Sequence, residues 1–328
     1  MRNPTQWHLA TVRQHRDLTP TVREFELRPE GGVRPWTVGS HLKLQVFVGG
    51  REETRTYSLI GLPHESVAAG VYRIAVKLAQ PGRGGSRHLW SLQTGAELQV
   101  GEPANHFELP LGAAPYLLVA GGIGITPLLG MAQLLAARGA DLRMLYAARE
   151  ACELGYADLL RATLGDRLQT FVDDAGPRFD LAAHIGTLHP QALALVCGPL
   201  PLLEAARAAW AAAGRPVASL RFETFGNTGA HVPEPFWVRL PRHGLELLVP
   251  ADRTLLDVLE QAGVQTLSDC LRGECGLCAM DILSVHGTID HRDVFFSATE
   301  KRTNRRLCAC VSRVCGGSVV LDTAYRAD

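Results

Sequence analysis

The alternation of apolar and polar residues changes its period twice along the chain. His41–Val48 (HLKLQVFV) puts Leu42, Leu44, Val46 and Val48 on one face with period two, the pattern of a half-buried strand. Tyr72–Leu78 repeats it with Ile74, Val76 and Leu78, and Thr21–Leu27 is a weaker version. Glycine and proline punctuate between these runs at Gly31-Gly32, Gly49-Gly50, Gly61-Leu62-Pro63 and Pro81–Gly85. Short strands separated by turns predict an antiparallel barrel or sandwich. Near residue 115 the rhythm shifts. Tyr116–Ala120 (YLLVA) is continuously apolar, as a parallel strand covered on both faces requires. Pro127–Arg138 then places Leu128, Met131, Leu134 and Leu135 at helical spacing, with Thr126 expected as N-cap and Pro127 as first helical residue. Leu142–Ala147, and Ala192–Cys197 with an Ala-rich helix to about Ala213, continue the strand–helix alternation of an α/β domain. Gly226–Pro235 (GNTGAHVPEP) has no apolar period and is the best linker candidate. Alternation resumes at Trp237–Leu247.

Composition narrows the class. The 328 residues suffice for two or three domains. Lys plus Arg (33) balances Asp plus Glu (33), which argues against a nucleic-acid protein. Apolar residues at 46% and charged residues at 20% fit a folded globular chain. No apolar run reaches a membrane span, and MRNPTQWHLA lacks a signal-peptide core, so a soluble cytoplasmic protein is expected.

The eight cysteines are unevenly placed. Cys152 and Cys197 stand alone, whereas Cys270, Cys275, Cys278, Cys308, Cys310 and Cys315 crowd near the C-terminus. In a reducing compartment such a cluster points to metal rather than disulfides. C-x4-C-x2-C at Cys270, Cys275 and Cys278 is the plant-type 2Fe–2S spacing, whose fourth thiolate comes from further along the chain. Gly273 and Gly276 suit a loop wrapped around a cluster. Structural zinc is the alternative, but it usually takes two C-x2-C pairs, and only Cys275–Cys278 is one. Spacing leaves Cys308 and Cys310 both open as fourth ligand, and on one strand they would project to the same face.

Gly121-Gly122-Ile123-Gly124-Ile125-Thr126-Pro127 joins a strand to a helix, the context in which helix N–H groups bind phosphate. It departs from G-x-G-x-x-G, and a turn without ligand is the plainer reading. Cys197-Gly198-Pro199 ends a later strand at the edge where open α/β sheets bind ligands. Arg55-Thr56-Tyr57-Ser58 offers a bidentate donor, an aromatic face and a hydroxyl, all suited to flavin, although an edge strand would also carry them. Gly82–Ser86 (GRGGS) is either a turn or a second phosphate cradle.

Taken in order, these segments resemble the phthalate dioxygenase reductase family, which includes vanillate demethylase reductases, along essentially the whole chain. The matching stretches are RTYSL (55–59), IAVK (74–77), GRGGS (82–86), GEPANHFEL (101–109), GGIGITP (121–127), CGP (197–199), FETFG (222–226), the cysteine loop, DHRD (290–293) and CVSR (310–313). The resemblance implies a multidomain chain: an FMN-binding antiparallel β-barrel (1–112), an NAD-binding α/β domain with a parallel sheet (113–226), a linker (227–235) and a β-grasp-like plant-type ferredoxin domain of α+β class (236–328). It implies that Arg55 holds flavin phosphate and that Tyr57 and Ser58, with Thr56 beside them, contact the ring, Ser58 near N5. Val76 and Lys77 line the same site, and Gly84, Gly85 and Ser86 receive the FMN phosphate. Gly121, Gly122, Gly124, Thr126 and Pro127 would face the NADH pyrophosphate. Cys197, Gly198 and Pro199 would lie near the nicotinamide, and Phe225 over the flavin. The cysteine preceding Val-Ser-Arg is the family's fourth ligand, which selects Cys310 and leaves Cys308 spare. The family often has Arg where Ala104 stands, so that stretch is expected to contribute less to phosphate binding. Arg149 would suit a 2′-phosphate but Glu150 opposes it, which favours NADH.

The expected activity is that of an NADH:acceptor oxidoreductase, the reductase component of a Rieske-type oxygenase. Hydride passes from NADH to FMN, and single electrons then leave through the 2Fe–2S cluster to the oxygenase, the cofactors supplying the redox chemistry. Ser58, Cys197 and Phe225 are the residues expected nearest the reacting atoms. Rivals are an FAD- or NADPH-using reductase for another acceptor, a ferredoxin-type carrier or redox sensor, and a zinc-stapled binding module. Residues 236–328 carry 11 basic and 12 acidic side chains, so charge does not name the partner. Docking is expected to be transient and the chain monomeric, with no nucleic acid and no membrane among its partners.

Overall fold

A computed structural model describes residues 5–79, 84–112, 114–173, 179–225 and 231–323. The chain divides into two compact units, one spanning Thr5–Thr224 and the other beginning at Phe225.

The first unit contains two sheets. Its antiparallel part consists of β1 (Trp7–Thr19), β2 (Val22–Pro29), β3 (Ser40–Val48), β4 (Arg51–Ser58), β5 (Tyr72–Lys77), β6 (Glu97–Gly101) and β7 (Ala104–Asn105). The order is β4-β3-β6-β1-β2-β5, with β7 on β3. A hydrogen bond from Ile60 N–H to Arg73 C=O brings the chain just beyond β4 against β5, joining the two ends of that order. Leu42, Leu44, Val46, Ile74 and Val76 lie in its core with essentially no exposure, on the faces that period two predicts. β1 escapes that pattern because WHLATVRQHRDLT mixes polar residues into both faces; its pairing with β2 and β6 specifies it. Two short helices complete this part, α1 (Pro63–Ala69) and α2 (Gly85–Ser91).

The parallel part follows. β8 (Tyr116–Gly121), α3 (Ile125–Ala137), β9 (Leu142–Ala148), α4 (Ala157–Leu164), β10 (Leu168–Val172), α5 (Leu181–Gly186), β11 (Leu193–Gly198), α6 (Leu200–Ala212) and β12 (Leu220–Thr224) alternate. The strand order β10-β9-β8-β11-β12 reverses direction between β8 and β11, the switch point at which such sheets bind ligands. One expectation is corrected here. A 3-10 turn at Gly122–Gly124 starts the helical path early, so Gly124 occupies the N-cap position and α3 begins at Ile125. Thr126 therefore lies inside the first turn, and its Oγ1 donates back to Ile123 O at 3.0 Å instead of capping. Pro127 is tolerated there because first-turn N–H groups have no intrahelical partner.

The second unit carries β13 (Phe236–Leu240), β14 (Leu245–Val249), α7 (Leu255–Gln261), β15 (Ala279–Asp290), α8 (Ala298–Thr303), β16 (Arg306–Cys308) and β17 (Arg313–Asp322). Its mixed sheet has the order β14-β13-β17-β15-β16, with β13 parallel to β17. The single alternating stretch expected at Trp237–Leu247 is a hairpin, because Pro241–His243 turns and Gly244 takes φ +61°. Within the linker predicted at 227–235, residues 227–230 lie outside the described residues. Further on, His231 C=O accepts from Arg292 at 2.9 Å and Glu234 C=O from Arg313 at 2.9 Å, so this stretch is tied to the unit's core.

Candidate functional site

The cysteine loop is built by local backbone demands. Leu271, Gly273 and Gly276 all have positive φ (55°, 73° and 73°), which reverses the chain tightly between Cys270 and Cys278. A side chain at Gly273 would place Cβ 2.8 Å from the Asp293 Cα, and one at Gly276 would lie 2.3 Å from the Phe295 ring. Gly273 C=O accepts from the N–H groups of Val294 (3.0 Å) and Phe295 (3.1 Å), which fastens the loop to that segment. Asp293, 1% exposed, accepts from Phe296 N–H at 2.9 Å. Burial pushes its carboxyl up, but His291, that N–H and the Lys301 charge outweigh burial and hold it below the ordinary range.

Inside the loop the sulfurs converge. Cys270 Sγ accepts from the backbone N–H groups of Arg272, Glu274 and Cys275, each at 3.4 Å. Cys278 Sγ and Cys310 Sγ are 3.2 Å apart. The thiols of Cys275 and Cys310 hold Cys270 well below the usual thiol range, and those of Cys308 and Cys310 bring Cys278 down to about 4. The donor thiols Cys275, Cys308 and Cys310 are pushed up correspondingly. Cys310 is thus the thiol whose influence falls on both Cys270 and Cys278, and its sulfur is the one that lies against Cys278. The two do not share a strand: β16 ends at Cys308, and Val311 and Ser312 N–H groups both donate to Cys308 C=O, turning Cys310 toward the loop. A pocket of converging cysteine sulfurs with backbone N–H donors aimed at Cys270 Sγ fits an iron–sulfur cluster, whose ligands are thiolates tuned by such bonds.

The first unit brings most of the remaining candidates to two places. In one, Arg55 lies across Gly85 at the start of α2; a Cβ there would meet Arg55 Nε at 2.7 Å. Arg55 also pairs with Glu53 Oε2 at 2.5 Å and donates to Thr54 O at 3.0 Å. Gly84 has φ +91° and would meet Val48 with any side chain. Ser86 Oγ accepts from Ala79 N–H at 3.1 Å; residues 80–83, which include Gly82 and Arg83 of GRGGS, lie outside the described residues. Thr56 and Tyr57 are half-buried on β4, and burial pushes the Tyr57 phenol up to about 12. Val76 is fully buried and its carbonyl accepts from Trp90 Nε1 at 3.0 Å. Lys77 Nζ reaches Glu153 Oε2 at 3.3 Å.

At the second place, the ends of β8 and β11 interlock at the switch point. A Cβ on Gly124 would lie 2.1 Å from Cys197 O, one on Gly121 2.8 Å from Pro199 Cδ, and one on Gly198 3.0 Å from Gly121 Cα. Gly122, with φ +53°, has open space beside it and leaves the turn's backbone approachable. Thr126, Pro127 and Cys197 are buried behind it, and Pro199 caps α6. Phe225 follows β12 directly and is half-buried, opening the second unit.

Sequence reasoning missed one neighbour. Glu223, 1% exposed on β12, accepts a hydrogen bond from Ser58 Oγ at 3.5 Å, linking the antiparallel and parallel sheets. The signal is present in FETFG, where a charged residue sits between the apolar residues of a strand. A cavity of about 240 Å³ lined by Leu117, Arg143, Gln169 and His184 lies at the opposite, amino-terminal ends of β9 and β10, away from these groups.

The comparisons agree with this anatomy. Residues 239–315 match the model of the 2Fe-2S iron-sulfur cluster binding domain, a range holding six of the eight cysteines. The chain is 38% identical over 309 residues to the heme-dependent oxidative N-demethylase beta subunit of Ectopseudomonas mendocina, covering 94% of this chain and 96% of that one. It is 36% identical over 316 residues to phthalate dioxygenase reductase of Burkholderia cepacia, covering 92% of each. Among solved structures, a phthalate dioxygenase reductase described as a modular structure for electron transfer from pyridine nucleotides to 2Fe-2S superposes with a TM-score of 0.78 at 32% identity, over 96% of this chain and 98% of that one. Full-length CYP116B46 from Tepidiphilus thermophilus gives a TM-score of 0.69 at 32% identity over 98% of this chain, which spans 44% of that longer one. The chain therefore belongs to the phthalate dioxygenase reductase family and is an oxidoreductase that takes electrons from a pyridine nucleotide through a flavin to a 2Fe–2S centre for an oxygenase component.

Proposed function

We propose that this reductase uses NADH and FMN and delivers electrons to a Rieske-type terminal oxygenase, docking transiently as a cytoplasmic monomer. The observation that carries the electron path is the presence on one chain of an interlocked glycine turn at a sheet switch point, a buried Ser58–Glu223 pair, and a loop of converging thiols. Arg55 with Gly84, Gly85 and Ser86 would hold the FMN phosphate, and Tyr57 and Ser58 would orient the ring. The turn at Gly122, open toward solvent, would receive the NADH pyrophosphate at the start of α3. Cys197, Gly198 and Pro199 would shape the nicotinamide end. Cys270, Cys275, Cys278 and Cys310 would ligate the cluster. The bound cofactors supply hydride acceptance and one-electron release; the protein orients them and keeps water from the reacting atoms.

The choice of NADH rests on Glu150, immediately after Arg149 at the carboxyl end of the second strand of the parallel sheet. A carboxylate there favours a ribose hydroxyl and opposes a 2′-phosphate. Anaerobic mixing tests the reading: NADH should bleach both flavin and cluster absorbance, with NADPH at least about tenfold poorer, a preference of roughly 1.4 kcal/mol. Persistent oxidised flavin would refute it, and chromatography of the acid-released flavin separates FMN from FAD. A haem-containing acceptor is the second reading, favoured by the E. mendocina relative. Reconstitution with a Rieske oxygenase or a haem oxygenase as electron acceptor decides between them.

A further inference from the structure

Hydride transfer followed by export of single electrons leaves one particle unaccounted for. A hydride carries two electrons and one proton. If both electrons leave singly through an iron–sulfur centre, each hydride leaves one H⁺ behind, and that proton must reach solvent before the next turnover. Ser58 and Glu223 form a polar link between the two sheets in which both side chains are buried, at 5% and 1% exposure.

Ser58 does not sit there alone. In the β3–β4 ladder it stands directly opposite His41. Directly opposed residues of antiparallel strands share a face, with Cβ atoms about 5 Å apart. His41 is 4% exposed. On its other side His41 pairs with Ala104 of β7, and the ring of His106, two residues further on, meets the His41 ring edge-to-face at a centroid distance of 5.0 Å and 60°. His106 is exposed. The segment carrying it is held in place: Asn105 Nδ2 donates to Thr37 Oγ1 at 2.7 Å and Val38 O at 3.0 Å, while Phe107 N–H donates to Asn105 Oδ1 at 2.9 Å. The polar groups sharing His41's face are Ser58 and Thr56 on β4 and Lys43 on its own strand, with Glu223 of β12 reached through Ser58.

We propose that His41 and His106 form a proton relay from the buried Ser58–Glu223 pair to solvent, a role that rests on the hydride-to-single-electron reading above. His41 accepts the proton at one ring nitrogen and releases one from the other to His106, which returns it to water. Imidazole suits the task because it binds a proton on one nitrogen while yielding one from the other near neutral pH. The balance closes at one H⁺ released for each NADH oxidised and two electrons exported.

The test uses the full-length protein loaded with flavin and cluster. It is reduced anaerobically with one equivalent of NADH, then mixed with ferricyanide in weak buffer containing a pH-indicator dye. Wild type should release one proton per NADH in step with electron loss. His41→Gln should delay release about a hundredfold, the lower range of what a positioned acid–base group contributes. The milder His106→Ala, at a surface position, should delay it less and recover with added imidazole. Independently of turnover, NMR of labelled histidines should show the His41 titration midpoint move in His106→Ala. Variants that retain flavin and release the proton at the wild-type rate, with an unmoved His41 midpoint, would overturn the relay alone. A wild type that NADH does not reduce would remove the electron-transfer reading and the relay with it.

Discussion

The cysteine loop and the glycine turn both bring backbone against backbone through glycine, but they need it for different reasons. Gly273 and Gly276 carry φ of +73°, so the loop needs their conformation as well as their lack of a side chain. At the turn, Gly124 is an ordinary right-handed residue with φ −61°, and what it supplies is room: Cys197 O would lie 2.1 Å from its Cβ. The conformational need arises within nine residues of chain, between Cys270 and Cys278. The second arises between strands about seventy residues apart, through a strand order that places β8 beside β11. A site closed by local turns tolerates change elsewhere, while a site closed by topology depends on two loops at once.

Six substitutions would break or sharpen this contrast. The largest effect is expected at the thiol that bridges the others: Cys310→Ser should abolish the cluster's visible absorbance and iron content, while Cys308→Ser keeps both. The opposite pattern would reassign the ligand. Gly273→Ala combines backbone strain with a clash against the Asp293 backbone and should cost about 3 kcal/mol, seen as a lower denaturation midpoint of the cluster-bearing unit. Gly276→Ala meets only the movable Phe295 ring and should cost less, so equal losses would contradict the distinction. Gly124→Ala should destabilise the first unit by about 1–3 kcal/mol and weaken NADH binding in titration while leaving cluster absorbance intact. Smallest is Asp293→Asn, expected to cost about 1–2 kcal/mol at neutral pH in urea unfolding. Because the folded carboxyl is held low, its contribution is complete above the ordinary carboxylate range and is lost as pH falls through the lower folded value. The gap between wild type and Asn should therefore close in acid; a gap that persists there would mean that packing is responsible.

Strands buried on one face were legible because period two survives in any fold: Leu42, Leu44 and Val46 point inward as their spacing predicts. β1 was not legible, since its mixed face is specified only by pairing with β2 and β6. The cysteine loop was legible to the level of three thiols. The fourth remained open by spacing, because Cys308 and Cys310 are two residues apart and only the turn that follows β16 separates their directions. Glu223 and His41 were invisible as neighbours of Ser58, being 165 residues away in sequence in one case and across a ladder in the other.

By itself, then, the sequence determined the order of strand-rich and α/β regions, the thiol loop and the family, since each is written in short-range spacing and composition. Tertiary structure decided which glycines face a neighbour and which face open space, that Cys310 lies against Cys278, and that Ser58 has a buried carboxylate beside it and a histidine across the ladder. Those relations join residues distant along the chain, and strand order and register bring them together only once the whole chain has folded.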